Sequence, residues 1–347
     1  MSTTTRAAAP IGARVLTARV SSAREWLFIV LIAVVFVIMP QLPENDWFRN
    51  AADLPRGLAI YSNPEYVYPP WALILFAPYY LIGAAGSRVA SVLIVGALAW
   101  RRGWSLAQFL SVIMTPLFLW TMVLSSADVL ILLIPILLWT ARGRWSVLLR
   151  GLAISILLVK PQVGLVLAIP RLWALRRDPR QLVWIALVVA LILLPVSLIG
   201  SPPLLLQWIE RLGTPQGENV GFWTSNNLSI SAYLGVIPAL LIVGVTLGGV
   251  YLWLRRRNRW TDNHTDSALL TASMLVAPYA SNQSAIVPLA LHPSWALTAV
   301  QWILVLGAAL LDRYGQLDEW LLLALTVLAL IWGRKSIMAQ RVAEDMQ

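Results

Sequence analysis

Few side chains in this sequence can do chemistry, and most are acidic, amide or aromatic groups at the ends of apolar runs. "PENDWFRNAADLPRGLAIY" carries Glu44 and Asp46 two residues apart, directly after the first long apolar stretch. A carboxylate at a helix start can cap it and favour its dipole, or it can take a proton from a reacting hydroxyl. Two carboxylates alone supply too few ligands for a metal, and none is expected. Lys160 interrupts "AISILLV" and "PQVGLVLAI", and the only other lysine is Lys335. A charge at a helix centre costs about 2.5–3.5 kcal/mol on the insertion scale. Lys160 therefore either snorkels from a helix end or does work that outweighs that cost. Asp128 follows "LSS" and opens "VLILLIPILL"; it too reads as a helix cap or a near-membrane functional acid. Arg211, Trp223, Asn226 and Asn227 lie in a long polar stretch, where the indole could stack on a sugar ring and the amides could bond hydroxyls or simply form a solvated turn.

The elements that must position these groups are membrane helices. Of 347 residues, 59% are hydrophobic and 12% charged, with mean hydropathy +0.73, and apolar runs recur from Trp26 to Trp332 between short Arg- or Pro/Gly-bearing breaks. A bilayer core leaves a spanning backbone no water to bond, so the runs are expected to be helices. The expected fold is all-α and polytopic, with roughly 11–13 spans. The net charge of +10 sits on Arg residues at the ends of those runs, where it reads as topology signal and lipid contact, so no nucleic-acid partner is expected. No cysteine is present, which excludes thiolate metal sites and Cys nucleophiles.

The Arg clusters at 101–102, 142–144, 176–180, 255–259 and 333–335 assign one side of the bundle to the cytoplasm, together with both termini. Residues 1–24 read as a basic cytoplasmic segment before an uncleaved first helix, 25–334 as one integral-membrane domain, and 335–347 as a cytoplasmic tail. The first outer loop is then 41–68 and the large outer loop 200–227. "SSAD", "KPQ" and "PYASNQ" fall on the outer side with them. Residues 70–100 must cross an odd number of times, as one long kinked span or with a re-entrant piece at "GAAGSR". "DWFRNAADLPRGLAIY" places Trp47, Phe48, Ala51, Leu54 and Leu58 at helical spacing, which predicts an amphipathic juxtamembrane helix.

Asp46, Trp47, Ala51, Ala52, Gly57, Tyr61, Tyr68, Pro69, Pro70 and Pro78 together form a block that resembles the bacterial polyprenyl-phosphate-sugar glycosyltransferases of the GT-C fold, the mannosyltransferases in particular. "SSADVLILL", "LLVKPQVGLVLAIPRLWALRR", "TSNNLS" and "MLVAPYASNQSAIVPL" continue the likeness in order. The resemblance implies a GT-C-like bundle in a bacterial plasma membrane, acting in the cell envelope. Such an enzyme moves a hexose, here mannose, from a polyprenyl-phosphate carrier to a lipid- or glycan-linked acceptor hydroxyl on the outer face, with inversion. The lipid-linked sugar is then a co-substrate and no cofactor is needed. The resemblance makes Asp46 the general base, with Glu44 the alternative, and Lys160 the ligand of the donor phosphate. Tyr68, Asp128, Arg211, Trp223, Asn226, Asn227, Asn282 and Gln283 become substrate-binding candidates.

The sequence departs from the family pattern in one place. After the late Pro-aromatic step it has Tyr279, Ser281, Asn282 and Gln283, where relatives often carry a titratable residue. Amides and hydroxyls cannot serve as a base at neutral pH, so more rests on Asp46, or the donor or acceptor differs. A polytopic transporter or flippase is the alternative reading; it predicts symmetry between halves, and no internal repeat stands out.

Overall fold

The computed structural model describes residues 20–40, 54–62, 68–213 and 293–310, with isolated positions between 241 and 291. Every regular element among them is helical. The chain opens with α1 (Ala23–Val35), which starts at a capping box: the Ser22 Oγ accepts from the Arg24 N–H, and the Glu25 carboxylate accepts from the Ser22 N–H at 2.7 Å. A 3-10 turn (Phe36–Ile38) ends it. After the described stretch Leu54–Ser62 come α2 (Ala72–Leu75) and α3 (Ala77–Arg102), followed by α4 (Leu106–Ile113) and α5 (Pro116–Val123). The chain continues through α6 (Asp128–Trp139), α7 (Ser146–Leu157), α8 (Pro161–Ala174), α9 (Pro179–Leu198) and α10 (Leu204–Gly213). The last described helix is α11 (Trp295–Leu310).

Two of these, α3 and α9, are long and apolar enough to cross a membrane, with mean hydropathies of 1.8 and 2.5. The pair α4–α5, bent by 59°, is a third if counted as one broken span. The apolar helices α6, α7, α8 and α11 are shorter. Outward on α9, Leu187, Leu191, Leu194 and Leu198 are exposed at helical spacing. An apolar stripe of that length is suited to lipid rather than water. The interior is built from Val92, Val95 and Leu98 of α3 with Phe109, Phe118, Leu132, Leu133, Leu157 and Leu167 of the helices around it.

The segment 70–100 is the short helix α2 followed by α3, which is itself broken by a kink. The kink is at Gly83, inside "GAAG", whose φ of 69° is a left-handed value that glycine adopts without steric cost. The helix break at Thr115–Pro116 frees two carbonyls that lipid could not satisfy. The Thr115 N–H bonds Val112 instead of Ser111, and the Phe118 N–H bonds the Thr115 hydroxyl at 3.1 Å instead of Met114. α11 supplies both missing donors. The Thr298 hydroxyl reaches the Ser111 carbonyl at 2.6 Å, and the Trp302 indole reaches Met114 at 2.9 Å.

Over its described half, the expected amphipathic helix takes another form. Leu54–Ser62 is a pair of 3-10 turns broken at Gly57, where φ is 53° and ψ −116°. The break resets the helical phase. Ile60 and Tyr61 are buried, whereas Leu58, predicted on the apolar face, is exposed. The stretch 204–213, read from sequence as part of a loop, is the helix α10.

Candidate active site

The helix ends sort into two groups. At one end, Arg101 Nη2 donates to the carbonyl and hydroxyl of Thr140 at 3.0 and 2.6 Å, joining the C-termini of α3 and α6. Arg150 lies over Trp139, Arg144 over Trp145 and Arg176 over Trp173, each 5.2–5.5 Å from the ring centre. These guanidinium–indole stacks suit a membrane–water boundary. The start of α1 belongs to this end, because the Val20 N–H bonds the Trp104 carbonyl.

The opposite end holds the polar chemistry. Asp128 is the first residue of α6, and Lys160 immediately precedes α8; their side chains form an ion pair while both are buried. Pro161 explains the local shape at Lys160. A residue before proline is driven from the helical region, and Lys160 has φ −119° and ψ 73° while Pro161 occupies the first turn of α8. Gly164 permits the close approach: a β-carbon there would sit 1.9 Å from the Leu157 carbonyl oxygen, so the first turn of α8 rests directly on the end of α7.

The turn before α6 is equally constrained. Ser125 has φ 50°, a conformation costly for a residue with a β-carbon, and its carbonyl accepts the Tyr79 hydroxyl proton. The Ser126 Oγ accepts the Asp128 N–H at 3.4 Å. Ser126 thus bonds the backbone at the start of α6, while the Asp128 carboxylate faces Lys160.

Aromatic rings connect this turn to the first loop. Tyr79 packs on Phe76 at 5.9 Å, and Phe76 meets Tyr68 edge-on at 5.0 Å. The Tyr61 hydroxyl donates to the Tyr68 carbonyl at 2.8 Å, and burial pushes the Tyr61 phenol well above its ordinary range. Tyr61 and Ile60 pack with Val196 at the end of α9 and Leu204 at the start of α10. Trp208 of α10 meets Trp71 edge-on at 5.8 Å. Residues 60–61, the beginning of the 200–227 segment and the Asp128–Lys160 pair thus share one end of the bundle.

Of the residues singled out by sequence, the structure brings together Asp128 and Lys160 and joins Tyr68 to them through Phe76 and Tyr79. The Lys160 side chain is buried and paired with Asp128. Arg211 falls in the last turn of α10, and its side chain lies outside the described residues. Glu44, Asp46, Trp223, Asn226, Asn227, Asn282 and Gln283 lie outside them as well.

Sequence reasoning missed Tyr79 and Arg88. Arg88 is wholly buried, and its Nη1 donates to the carbonyls of Phe36 and Met39 at 3.2 and 2.7 Å. It ties the turn at the end of α1 to α3. Its signal was available: it is the only charged residue between Glu65 and Arg101.

Buried ionic groups at one end of an all-helical bundle, whose longest helices have membrane length and apolarity, define a polytopic membrane protein with a polar site near one boundary. Its residues 66–281, well over half of the sequence, match the model of glycosyltransferase family 87, and the chain belongs to that family. It is a membrane glycosyltransferase. Tyr68, Asp128, Lys160, Arg211, Trp223, Asn226 and Asn227 fall inside the matched range, whereas Glu44 and Asp46 precede it and Asn282 and Gln283 follow it. No curated protein and no solved structure matches the chain.

Proposed function

We propose that the enzyme transfers a hexose, mannose in this reading, from a polyprenyl-phosphate donor to a hydroxyl of a lipid- or glycan-linked acceptor on the outer face of a bacterial plasma membrane. The acceptor oxygen attacks the anomeric carbon from the side opposite the phosphate. The bond from that carbon to the phosphate oxygen breaks, and the configuration inverts. Asp46 takes the hydroxyl proton as the new bond forms; Glu44 is the alternative base. The lipid phosphate leaves with an additional negative charge, which a fixed cation in a low-dielectric site stabilises. Lys160 is that cation.

The observation that carries this reading is the buried Lys160 ammonium at the end of the bundle that also holds Tyr68, Tyr61 and α10. Family membership supports glycosyl transfer; the lipid carrier, the sugar and the roles of Asp46 and Lys160 rest on the sequence resemblance and on this placement. Tyr68, Arg211, Trp223, Asn226, Asn227, Asn282 and Gln283 are proposed to bind sugar or phosphate oxygens or to stack on the ring. The lipid-linked sugar is the co-substrate, and no cofactor enters the reaction.

The test is an assay of washed membranes containing the protein, supplied with radiolabelled polyprenyl-phosphate mannose. Transfer of label to an acceptor, above membranes lacking the protein, is expected. Transfer from a nucleotide sugar with none from the lipid-linked donor would overturn the proposal.

A further inference from the structure

We infer that Asp128 is a positioning residue for Lys160: its carboxylate holds the ammonium at the head of α8, placed for the phosphate of the donor. The inference rests on the reading of Lys160 as the phosphate ligand. It begins from an imbalance between the care with which the pair is built and what the pair contributes to stability. Buried ion pairs are often no more stabilising than well-packed apolar residues of the same volume, because both charges lose water. Yet each partner here is fixed by its own backbone device. The carboxylate sits on a turn containing a left-handed Ser125, whose carbonyl the Tyr79 hydroxyl holds. The ammonium follows from Pro161, which sets the Lys160 backbone, and from Gly164, which lets α8 rest on α7.

A lysine ammonium on a flexible four-carbon stem needs a fixed partner to remain in place. Asp128 is that partner before any substrate arrives. The site is then preorganised, with no reorientation required when charge develops on the leaving phosphate.

The test uses the full-length chain in liposomes, with initial rates measured against the lipid-linked donor at saturating acceptor. Asp128→Asn should raise the donor KM about tenfold or more, with a smaller change at the acceptor. Asp128→Glu, which keeps the charge but displaces it by one methylene, should give an intermediate donor KM. Asp128→Asn combined with Lys160→Met should match Lys160→Met alone, since a positioning residue has nothing left to position. Exchanging the pair, Asp128→Lys with Lys160→Asp, should restore thermal stability without restoring transfer.

Recovery of transfer by the exchanged pair would overturn the inference, because orientation would then not matter and the pair would be structural. If Lys160→Met raises the donor KM while Asp128→Asn and Asp128→Glu leave it at the wild-type value, positioning fails and the phosphate reading stands. Unchanged kcat and donor KM in Lys160→Met would remove the phosphate reading itself. Should Asp128→Asn or the exchanged pair fail to fold, Asp128→Glu decides the matter: a wild-type donor KM in a folded protein contradicts positioning.

Discussion

Tyr79 and Ser125 are 46 residues apart, and the hydroxyl of one holds the carbonyl of the other. That bond ties the N-terminal end of α3 to the turn that launches Asp128 toward Lys160. Ser125 sits at φ 50°, so the contact also maintains a backbone shape that serine would not choose in isolation. Tyr79→Phe should destabilise the protein by about 1–3 kcal/mol, since a buried carbonyl loses its donor. It should also slow transfer. At the neighbouring position, Ser125→Gly should fold about as well as the wild type, whereas Ser125→Val, β-branched at positive φ, should not. Thermal unfolding of the detergent-purified variants checks all three, and equal stability of the Gly and Val variants would refute the strain argument.

Gly164 is the second point of close contact. Gly164→Ala must push α8 away from the Leu157 carbonyl, carrying Lys160 with it. We expect a lower unfolding temperature and reduced transfer. Gly307→Ala is the control: a β-carbon there meets nothing within 4 Å, so stability should be unchanged or slightly improved. Comparable behaviour of the two variants would mean that the α7–α8 contact is not tight.

The broken α4–α5 pair depends on α11 for two hydrogen bonds. Thr298→Val leaves the buried Ser111 carbonyl without its donor, at about 1–3 kcal/mol, and Trp302→Phe removes an exposed bond to Met114, at about 0.5–1.5 kcal/mol. Because both serve one hinge, the double variant should depart from additivity. A Thr298→Val variant as stable as the wild type would indicate that the Ser111 carbonyl finds another donor.

The two ends of the bundle should face opposite sides of the membrane, with the Arg–Trp end in the cytoplasm. The native chain has no cysteine. A single cysteine at Ser201, exposed just before α10, should react with an impermeant maleimide in intact cells. One at Arg144, exposed at the Arg–Trp end, should react only after permeabilisation. The reverse pattern would place the Lys160 end inside and exclude transfer on the outer face.

The helical class, the start of α6 at Asp128 and the Lys-Pro entry to α8 were legible because each depends on local chemistry: apolar run length, a small polar turn and a proline at the first helical position; for 70–100 the sequence left a kinked span and a re-entrant piece at "GAAGSR" as alternatives. The union of Asp128 with Lys160 was not. Those residues are 32 positions apart, and their meeting depends on how α6, α7 and α8 pack, which no periodicity encodes. Tyr79 was hidden for the same reason, as one aromatic among several in "APYYL". The predicted amphipathic helix failed over 54–62 for a local reason that was visible, since Pro55 and Gly57 break helical phase. Arg88 shows the opposite error: its isolation within an apolar helix was plain, but its role needed the carbonyls of Phe36 and Met39 to be brought beside it.

The central claim is that Asp46 acts as base while Lys160 meets the phosphate, and it is tested most directly with Asp46→Asn. The amide keeps the size and much of the hydrogen bonding of the carboxylate but cannot accept the proton. Transfer from radiolabelled polyprenyl-phosphate mannose should fall about a hundredfold to ten-thousandfold, while the affinity for the donor, measured by direct binding, stays near the wild-type value. Near-normal transfer by the Asp46→Asn variant would contradict the account and move the role of base to Glu44 or to another side chain.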